Sequence, residues 1–221
     1  MQSKTEDVNK SYKDLFHEYL EKGVELKLYQ KIGILFLIVV ITGFVGWVWE
    51  FCLQEAADGF SALYVKGGNL LPWINIYAIG ALIIIATAYR LRKKPWAVFL
   101  LSAIFCGALE LLAGWLAYIV CDGARYWYYH DQWWAFGNIN GFVCPASAFA
   151  FGVGALALIY GLLPFCIYLA KKMSKKLFLW ISISLFAIVM TDELVNLVLK
   201  CLNLPTAMDL YESWGWKYKL K

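Results

Sequence analysis

Charge is scarce in this chain. Asp, Glu, Lys and Arg make up 16% of it, against about a quarter in an ordinary water-soluble domain. The hydrophobic share is 62%, gathered in blocks of about 20 residues or more, the length that crosses a bilayer as a helix. A soluble globular domain is thereby excluded. The chain has 2 histidines, and no second one accompanies His130 in its loop, so a metal centre is not expected. The six cysteines are scattered without a C-x-x-C pair, which argues against zinc-ribbon and thioredoxin chemistry. Neither a Ser–His nor a Cys–His pairing is seen, and no Gly-x-x-x-x-Gly-Lys-Ser/Thr loop that would hydrolyse ATP. The basic residues sit between apolar blocks, so the net charge of +4 forms no stripe that could track phosphates. Nucleic acid is not an expected partner, and no cofactor is expected. The charged first 30 residues lack an apolar signal core, so no cleaved signal peptide is expected.

What is present reads as an all-α, polytopic membrane bundle of about five transmembrane helices behind an amphipathic N-terminal helix. Leu15, Phe16, Tyr19, Leu20 and Val24 share one helical face over 11–27, with Ser11 and Asp14 as a start signal. That helix is suited to lie on the membrane or to dock on the bundle. The spans are expected at 31–54, 73–91, 96–120, 145–169 and 177–202, with a kink near Pro164. The division is therefore 1–30 as the interfacial helix, 31–203 as the bundle and 204–221 as an outer aromatic tail.

Basic residues set the orientation. Lys4, Lys10, Lys13, Lys22, Lys27 and Lys31 precede or open the first span. Arg90, Arg92, Lys93 and Lys94 fill the second-to-third loop, and Lys171, Lys172, Lys175 and Lys176 the fourth-to-fifth. The opposite loops hold Lys66 and Arg125. A multi-pass plasma-membrane protein with its N-terminus cytoplasmic and its C-terminus outside is expected, although Lys217, Lys219 and Lys221 pull mildly the other way.

The first, third and fifth spans then run in one direction, and each carries acid late in its course: Glu50, Glu110, and Asp192-Glu193. An acid facing lipid costs about 2.5–3.5 kcal/mol on insertion scales, so these should face protein or water. Two readings stay open. With Trp47, Trp49 and Trp115 the acids could bind a cation or an amine by charge and cation–π contact. Protonated, they could instead serve as hydrogen-bond donors that fix helix packing. Asp192 and Glu193 are adjacent, so at most one is expected to face the centre. The aromatic run from Arg125 to His130, followed by Asn138-Ile139-Asn140-Gly141, could lid a cavity or form an interface belt. Cys121 and Cys144 lie close enough to one surface to be a candidate disulfide. Glu50, Gly68-Asn69 and Ala78–Leu82 run parallel to Glu110, Gly137-Asn138 and Gly152–Leu156, a weak sign that the first two hairpins are repeats.

Several motifs occur in order. Phe44–Glu50 contains Gly-Trp-x-x-Glu. Pro72–Gly80 follows Gly-Pro-x-x-Pro-Ile-Tyr-Gly-x-Gly, keeping Pro72, Ile76, Tyr77 and Gly80, with Asn75 and Ala78 as departures. Glu110 and Gly114 give Leu-Glu-x-x-x-Gly. Arg125-Tyr126-Trp127 gives Arg-x-Trp, with Tyr128-Tyr129-His130 where Asp-Tyr-Ser is usual. Asn138–Cys144 gives Asn-x-x-Gly-x-x-Cys. Over about residues 36–165 the chain thus resembles the ABC-transporter type IV (CmpB-like) membrane permeases. The resemblance implies a permease component. Such a component would need a separate ATPase subunit, and five helices are few for a whole path, which favours a homo-oligomer.

Three functions compete. The favoured one is a transport component whose acidic, aromatic-lined centre holds a small substrate, cations included. The candidate substrate-binding residues are Glu50, Glu110, Trp47, Trp49, Trp115 and Glu193, with Asn75, Tyr77, Arg125, Trp127, Asn138 and Asn140 from the motifs. The others are an intramembrane enzyme acting on a lipid-type substrate and a non-catalytic sensor or regulatory subunit. With no hydrolase or ATPase motif, an enzyme is the less favoured expectation.

Overall fold

Backbone groups in hydrocarbon find no water to bond, so a chain that crosses a bilayer satisfies them within helices. The computed structural model describes residues 10–57, 68–120, 123, 125, 127–130 and 134–216. Among these, every regular element is helical apart from one isolated bridge between Ile139 and Val143. In chain order they are α1 (Tyr12–Glu21), α2 (Leu28–Ala57), α3 (Asn75–Ala88, continued by a 3-10 turn Tyr89–Leu91), α4 (Pro95–Val120), α5 (Pro145–Lys172), α6 (Lys175–Cys201) and α7 (Ala207–Ser213). Four of them, α2, α4, α5 and α6, are long and apolar enough to span a membrane. The stretch Asn75–Leu91 is shorter and also apolar. The chain is a multi-pass helical membrane bundle, and apolar helices appear at the five expected places within a few residues of their expected bounds, the second of them too short to be counted with the four long ones.

α2 packs against α3, α5 and α6, and α4 packs against α3 and α5. Four helices therefore close a ring, α2–α3–α4–α5, and α6 lies outside it against α2. Only 17% of the apolar window of α6 is buried, against 39% in α2, so α6 is the peripheral span. Gly33 of α2 leaves room for the Phe178 ring, and Phe36 stacks on Phe186 with centroids 4.1 Å apart. The larger core cluster fills the end of the ring that carries Arg90–Lys94 and Lys171–Lys176, here the basic end. A smaller one, Trp73, Ala78 and Val189, lies toward the opposite, acid end.

The N-terminal helix docks on the bundle. It is shorter than its apolar pattern suggests, because Gly23 takes φ +80° and ends it. Ser11 and Asp14 form the capping box that starts it. Leu15 and Tyr19 are its buried residues, and the partner is the second half of α5. There α5 passes through a π-helical turn over Leu158–Leu162, where the Leu163 N–H bonds Leu158 O five residues back. In that register residue 164 would bond Ile159 O. Pro164 has no N–H, so the carbonyl is orphaned. The Tyr19 hydroxyl donates to it at 2.8 Å. Burial pushes the Tyr19 phenol well above its ordinary range, which keeps it a donor. The kink expected at Pro164 is thus resolved as a π turn with an outside donor.

Arg92 completes this end. Its Nε donates to Tyr19 O at 2.7 Å, and its guanidinium lies over the Tyr89 ring at 4.6 Å. The Tyr160 hydroxyl donates to Arg92 O at 2.7 Å. These bonds tie α1, α3 and α5 together.

Tyr19→Phe should cost about 1–3 kcal/mol, the range for an orphaned buried polar group, read as a lower thermal midpoint in detergent. In a Pro164→Ala background the alanine N–H can serve Ile159 O, so the same substitution should cost markedly less. Equal costs in both backgrounds would refute this account of the π turn.

Candidate functional site

Glycines on two helices make the acid end. Gly43 and Gly46 on α2 leave no room for a Cβ, because the Trp73 indole and the Tyr77 ring press against them. The approach is close enough for Trp73 Nε1 to donate to Val39 O at 3.1 Å, and for Ile74 N to donate to Gly43 O at 3.1 Å. This extended entry is why α3 begins at Asn75, two residues later than expected. One turn beyond Gly46, the Tyr77 hydroxyl donates to Glu50 Oε1 at 2.5 Å.

The second carboxylate is built from α4, α5 and the loop between them. Glu110 is 7% exposed. Its Oε1 accepts the Tyr129 hydroxyl at 2.8 Å and its Oε2 accepts the Ser147 hydroxyl at 2.7 Å. Ser147 is in the first turn of α5, where its N–H points to Cys144 Sγ at 3.4 Å and its hydroxyl oxygen accepts from Cys144 N at 3.2 Å. Cys144 is a free buried thiol acting as a helix cap. Cys121, the other half of the candidate disulfide, lies outside the described residues.

Tyr129 is held by the motif residues around it. Its N–H donates to Gly141 O at 3.0 Å, and Trp127 Nε1 donates to Phe142 O at 2.8 Å. Asn138 folds the turn, accepting Gly141 N at 2.9 Å and donating to Ala135 O at 3.0 Å. Asn140 and Gly141 take φ 51° and 74°. Arg125 donates to Asn140 O at 2.5 Å, and its guanidinium lies 4.5 Å from the Phe142 ring centre and 4.6 Å from that of Tyr128. Burial first, then the Glu110 carboxylate, push the Tyr129 phenol above its ordinary range, so it stays a donor.

The two acid–tyrosine pairs lie together. Glu110 and Tyr129 both sit within the electrostatic field of Glu50, and Tyr77 within that of Glu110 and Tyr129. Among the described residues the ion pairs are Lys10–Glu18 and Lys93–Glu21, and neither touches these acids. No group of metal-ligating side chains occurs among the described residues. Among the described residues, the side-chain partners of the two carboxylates are neutral hydroxyl donors.

The chain belongs to the family described as Putative ABC-transporter type IV. The match covers residues 36–197, so it takes in Glu50, Glu110 and also Asp192 and Glu193. No curated protein and no solved structure matches the chain.

Other candidates lie elsewhere in this family member. Asp192 and Glu193 both grip the entry to α3, over Asn69–Asn75, and are not bonded to Glu50, Glu110 or their tyrosines. Asp192 accepts Leu71 N at 2.8 Å and Leu70 N at 3.3 Å. Glu193 accepts Asn69 Nδ2 at 2.6 Å and Asn75 Nδ2 at 3.0 Å. The layer expected across the first, third and fifth spans is thus two stations, and both acids of the α6 pair face the same segment. Trp49 and Trp115 are 50% and 52% exposed, on the outside of the bundle. Trp47 stacks on Phe51 with centroids 5.1 Å apart. Tyr129 and Ser147 escaped the residue-level reading. Tyr129 is the one residue of Tyr128-Tyr129-His130 that keeps the family's Asp-Tyr-Ser pattern, and that was its signal.

Gly137→Ala meets only Pro145, at 3.5 Å, so it bears the strain of φ +66° alone. Gly141→Ala adds collision with the Tyr128 ring. Its stability loss in detergent should exceed that of Gly137→Ala by about 1–3 kcal/mol. Equal losses would show that Tyr128 is not fixed over Gly141.

Proposed function

We propose that the chain is the membrane-embedded component of a transporter whose acid centre, Glu50 and Glu110, binds a small cation or amine. One observation carries this reading: two carboxylates from separate hairpins of the ring, with Glu110 in the field of Glu50, have hydroxyls rather than Lys or Arg as partners among the described residues. Such a pair attracts positive charge, and a cation between the two acids would relieve their repulsion. Tyr77 and Tyr129 supply the aromatic lining, rather than the three indoles. Arg125, Trp127, Asn138 and Asn140 serve by holding Tyr129 in place. Glu193 and Asn75 bond each other at the mouth of α3.

The family supports a transport role, and with it an ATPase subunit supplied by another chain. We place the basic end, with α1, on the cytoplasmic side of the plasma membrane, and the acid end and α7 outside, on the distribution of Lys and Arg. α1, within the first 30 residues, and the basic end it straps form the face available to that subunit. A ring of four helices with one peripheral span also suits assembly as a homo-oligomer.

The test uses the purified full chain in detergent and a panel of alkali cations and small primary amines. At least one should raise the thermal midpoint in a concentration-dependent way, as a ligand that prefers the folded state does. Glu50→Gln keeps the shape and an acceptor for Tyr77, and Glu110→Gln keeps the shape and one acceptor while its amide N–H donates to the other hydroxyl; both remove the charge. Each should weaken that response at least roughly tenfold, about 1.4 kcal/mol of binding free energy, with the unliganded midpoint retained. An undiminished response in the double variant would overturn the proposal.

A further inference from the structure

The turn that leads into α5 also walls a pocket. It is open, has a volume of about 200 Å³, and is lined by Gly137, Ile139, Val143, Cys144, Pro145 and Ala148. Val143 and Cys144 are its buried floor, while Gly137, Ile139 and Pro145 form an exposed rim. No lining side chain carries a charge, an amide or a hydroxyl. The one heteroatom is the Cys144 sulfur, and a buried thiol packs as a small hydrophobe.

The depth of the pocket says what meets it. The Val143 and Ala148 side chains come within 3.7 Å of the place a Gly107 Cβ would take. Gly107 is 12 residues past the start of α4 and 13 short of its end, roughly 18 and 20 Å along the axis. A hydrocarbon core about 30 Å thick, crossed by α4, therefore includes this level. Backbone polar groups at such a depth have to be met within the protein, and this turn meets them. Ile139 N donates to Val143 O at 2.9 Å, and Phe142 N to Ile139 O at 3.0 Å. Gly141 N donates to Asn138 Oδ1 at 2.9 Å, Cys144 N to Ser147 Oγ at 3.2 Å, and Pro145 has no N–H to satisfy. What the turn shows the pocket is apolar, and water is a poor filler for such a space because it needs several polar partners.

We propose that this pocket seats a length of one acyl chain of a bilayer lipid. The size fits that occupant. Sites that enclose a small molecule run to roughly 300–1,000 Å³, whereas a smaller, open one takes part of a chain whose remainder stays in the bilayer. The seat adjoins the acid centre. Cys144 Sγ accepts the Ser147 N–H at 3.4 Å, and the Ser147 hydroxyl donates to Glu110 at 2.7 Å. A chain packed on Val143 and Cys144 thus backs the cap of α5 that sets a donor of Glu110. Its binding does not depend on what Glu50 and Glu110 hold.

Photo-crosslinking tests this on the full chain in phosphatidylcholine vesicles. The probe is a phosphatidylcholine with a diazirine midway along one acyl chain, and adducts are mapped by mass spectrometry. Every lipid-facing helix collects some label, and Trp180, Ile183 and Ile188 of the peripheral α6, 70%, 47% and 56% exposed, set that background. Residues 137–148 should carry at least roughly threefold more, as a site that prefers the chain over random contact gives. Ala148→Leu fills the pocket and should bring that yield down to background, with labelling of α6 unchanged. Ile139→Asn puts an amide on the exposed rim and should lower the yield too, and it decides the matter if Ala148→Leu fails to fold. A yield at 137–148 no higher than background in the natural chain, or unmoved in the folded variants, overturns the inference. So does stronger labelling there by the same lipid with its diazirine on the headgroup, which would put a headgroup at the pocket instead of a chain.

Discussion

Glu110 sits where water is scarce, and its two oxygens must take their hydrogen bonds from protein. Its own helix offers none, since every N–H there is committed to the backbone ladder. The donors come from elsewhere: Ser147 in the first turn of α5 and Tyr129 in the preceding loop. That requirement organises much of the acid end. Ser147 is in reach because Pro145 starts α5 with Cys144 as its cap. Tyr129 is in reach because its strand of loop lies on Gly141, and because Arg125 and Trp127 pin the neighbouring backbone carbonyls. The loop in turn rests on α4 at Gly114, where Phe142 and Trp127 pack. One buried carboxylate thus accounts for the form of a long connection.

Glu50 repeats the solution with different parts. Its donor is Tyr77, and small residues on α2, Gly43 and Gly46, admit the aromatic side chains that enter α3. In both cases a glycine one turn from the acid, on the same helix, receives rings from the segment that supplies or supports the donor. This is the physical content of the Gly-Trp-x-x-Glu and Leu-Glu-x-x-x-Gly motifs. The glycine lets the backbones close up, and the closeness lets a phenol reach a carboxylate.

How much of this could be read beforehand follows from the range of each interaction. The spans were legible because bilayer thickness sets a length and basic residues mark the ends. The ring was not, since all faces of these helices are apolar and periodicity does not say which face meets which neighbour. Glu50 and Glu110 stood out as lone acids, but their donors did not. Tyr129 was one tyrosine in an aromatic run. Adjacent helical residues point about 100° apart, so Trp49 beside Glu50 was poorly placed to share its direction, and it lies half exposed. Apart from Asn196, which donates to Asp192 Oδ1 from the next turn, the partners of Asp192 and Glu193 lie more than a hundred positions upstream, a separation that no local pattern bridges. α7 had a local signal, Thr206 followed by Asp209, which forms a capping box. It was masked by reading the segment as an aromatic tail.

The two ends of the ring are fastened in different ways, and the difference bears on where the molecule can change. At the basic end Tyr19, Tyr160 and Arg92 bond backbone carbonyls inside the larger apolar core. Backbone acceptors do not change charge, so nothing that binds or titrates there can release them without unpacking the core. At the acid end the fastenings are hydroxyl to carboxylate. A carboxylate that gains a cation needs fewer donors, and a phenol that loses its acceptor can turn without moving its ring. Binding at Glu50 and Glu110 would therefore loosen Tyr77 and Tyr129, and through them the entry to α3 and the start of α5. The basic end would act as the hinge about which those elements move, with the Ile159 carbonyl at the π turn of α5 still held by Tyr19.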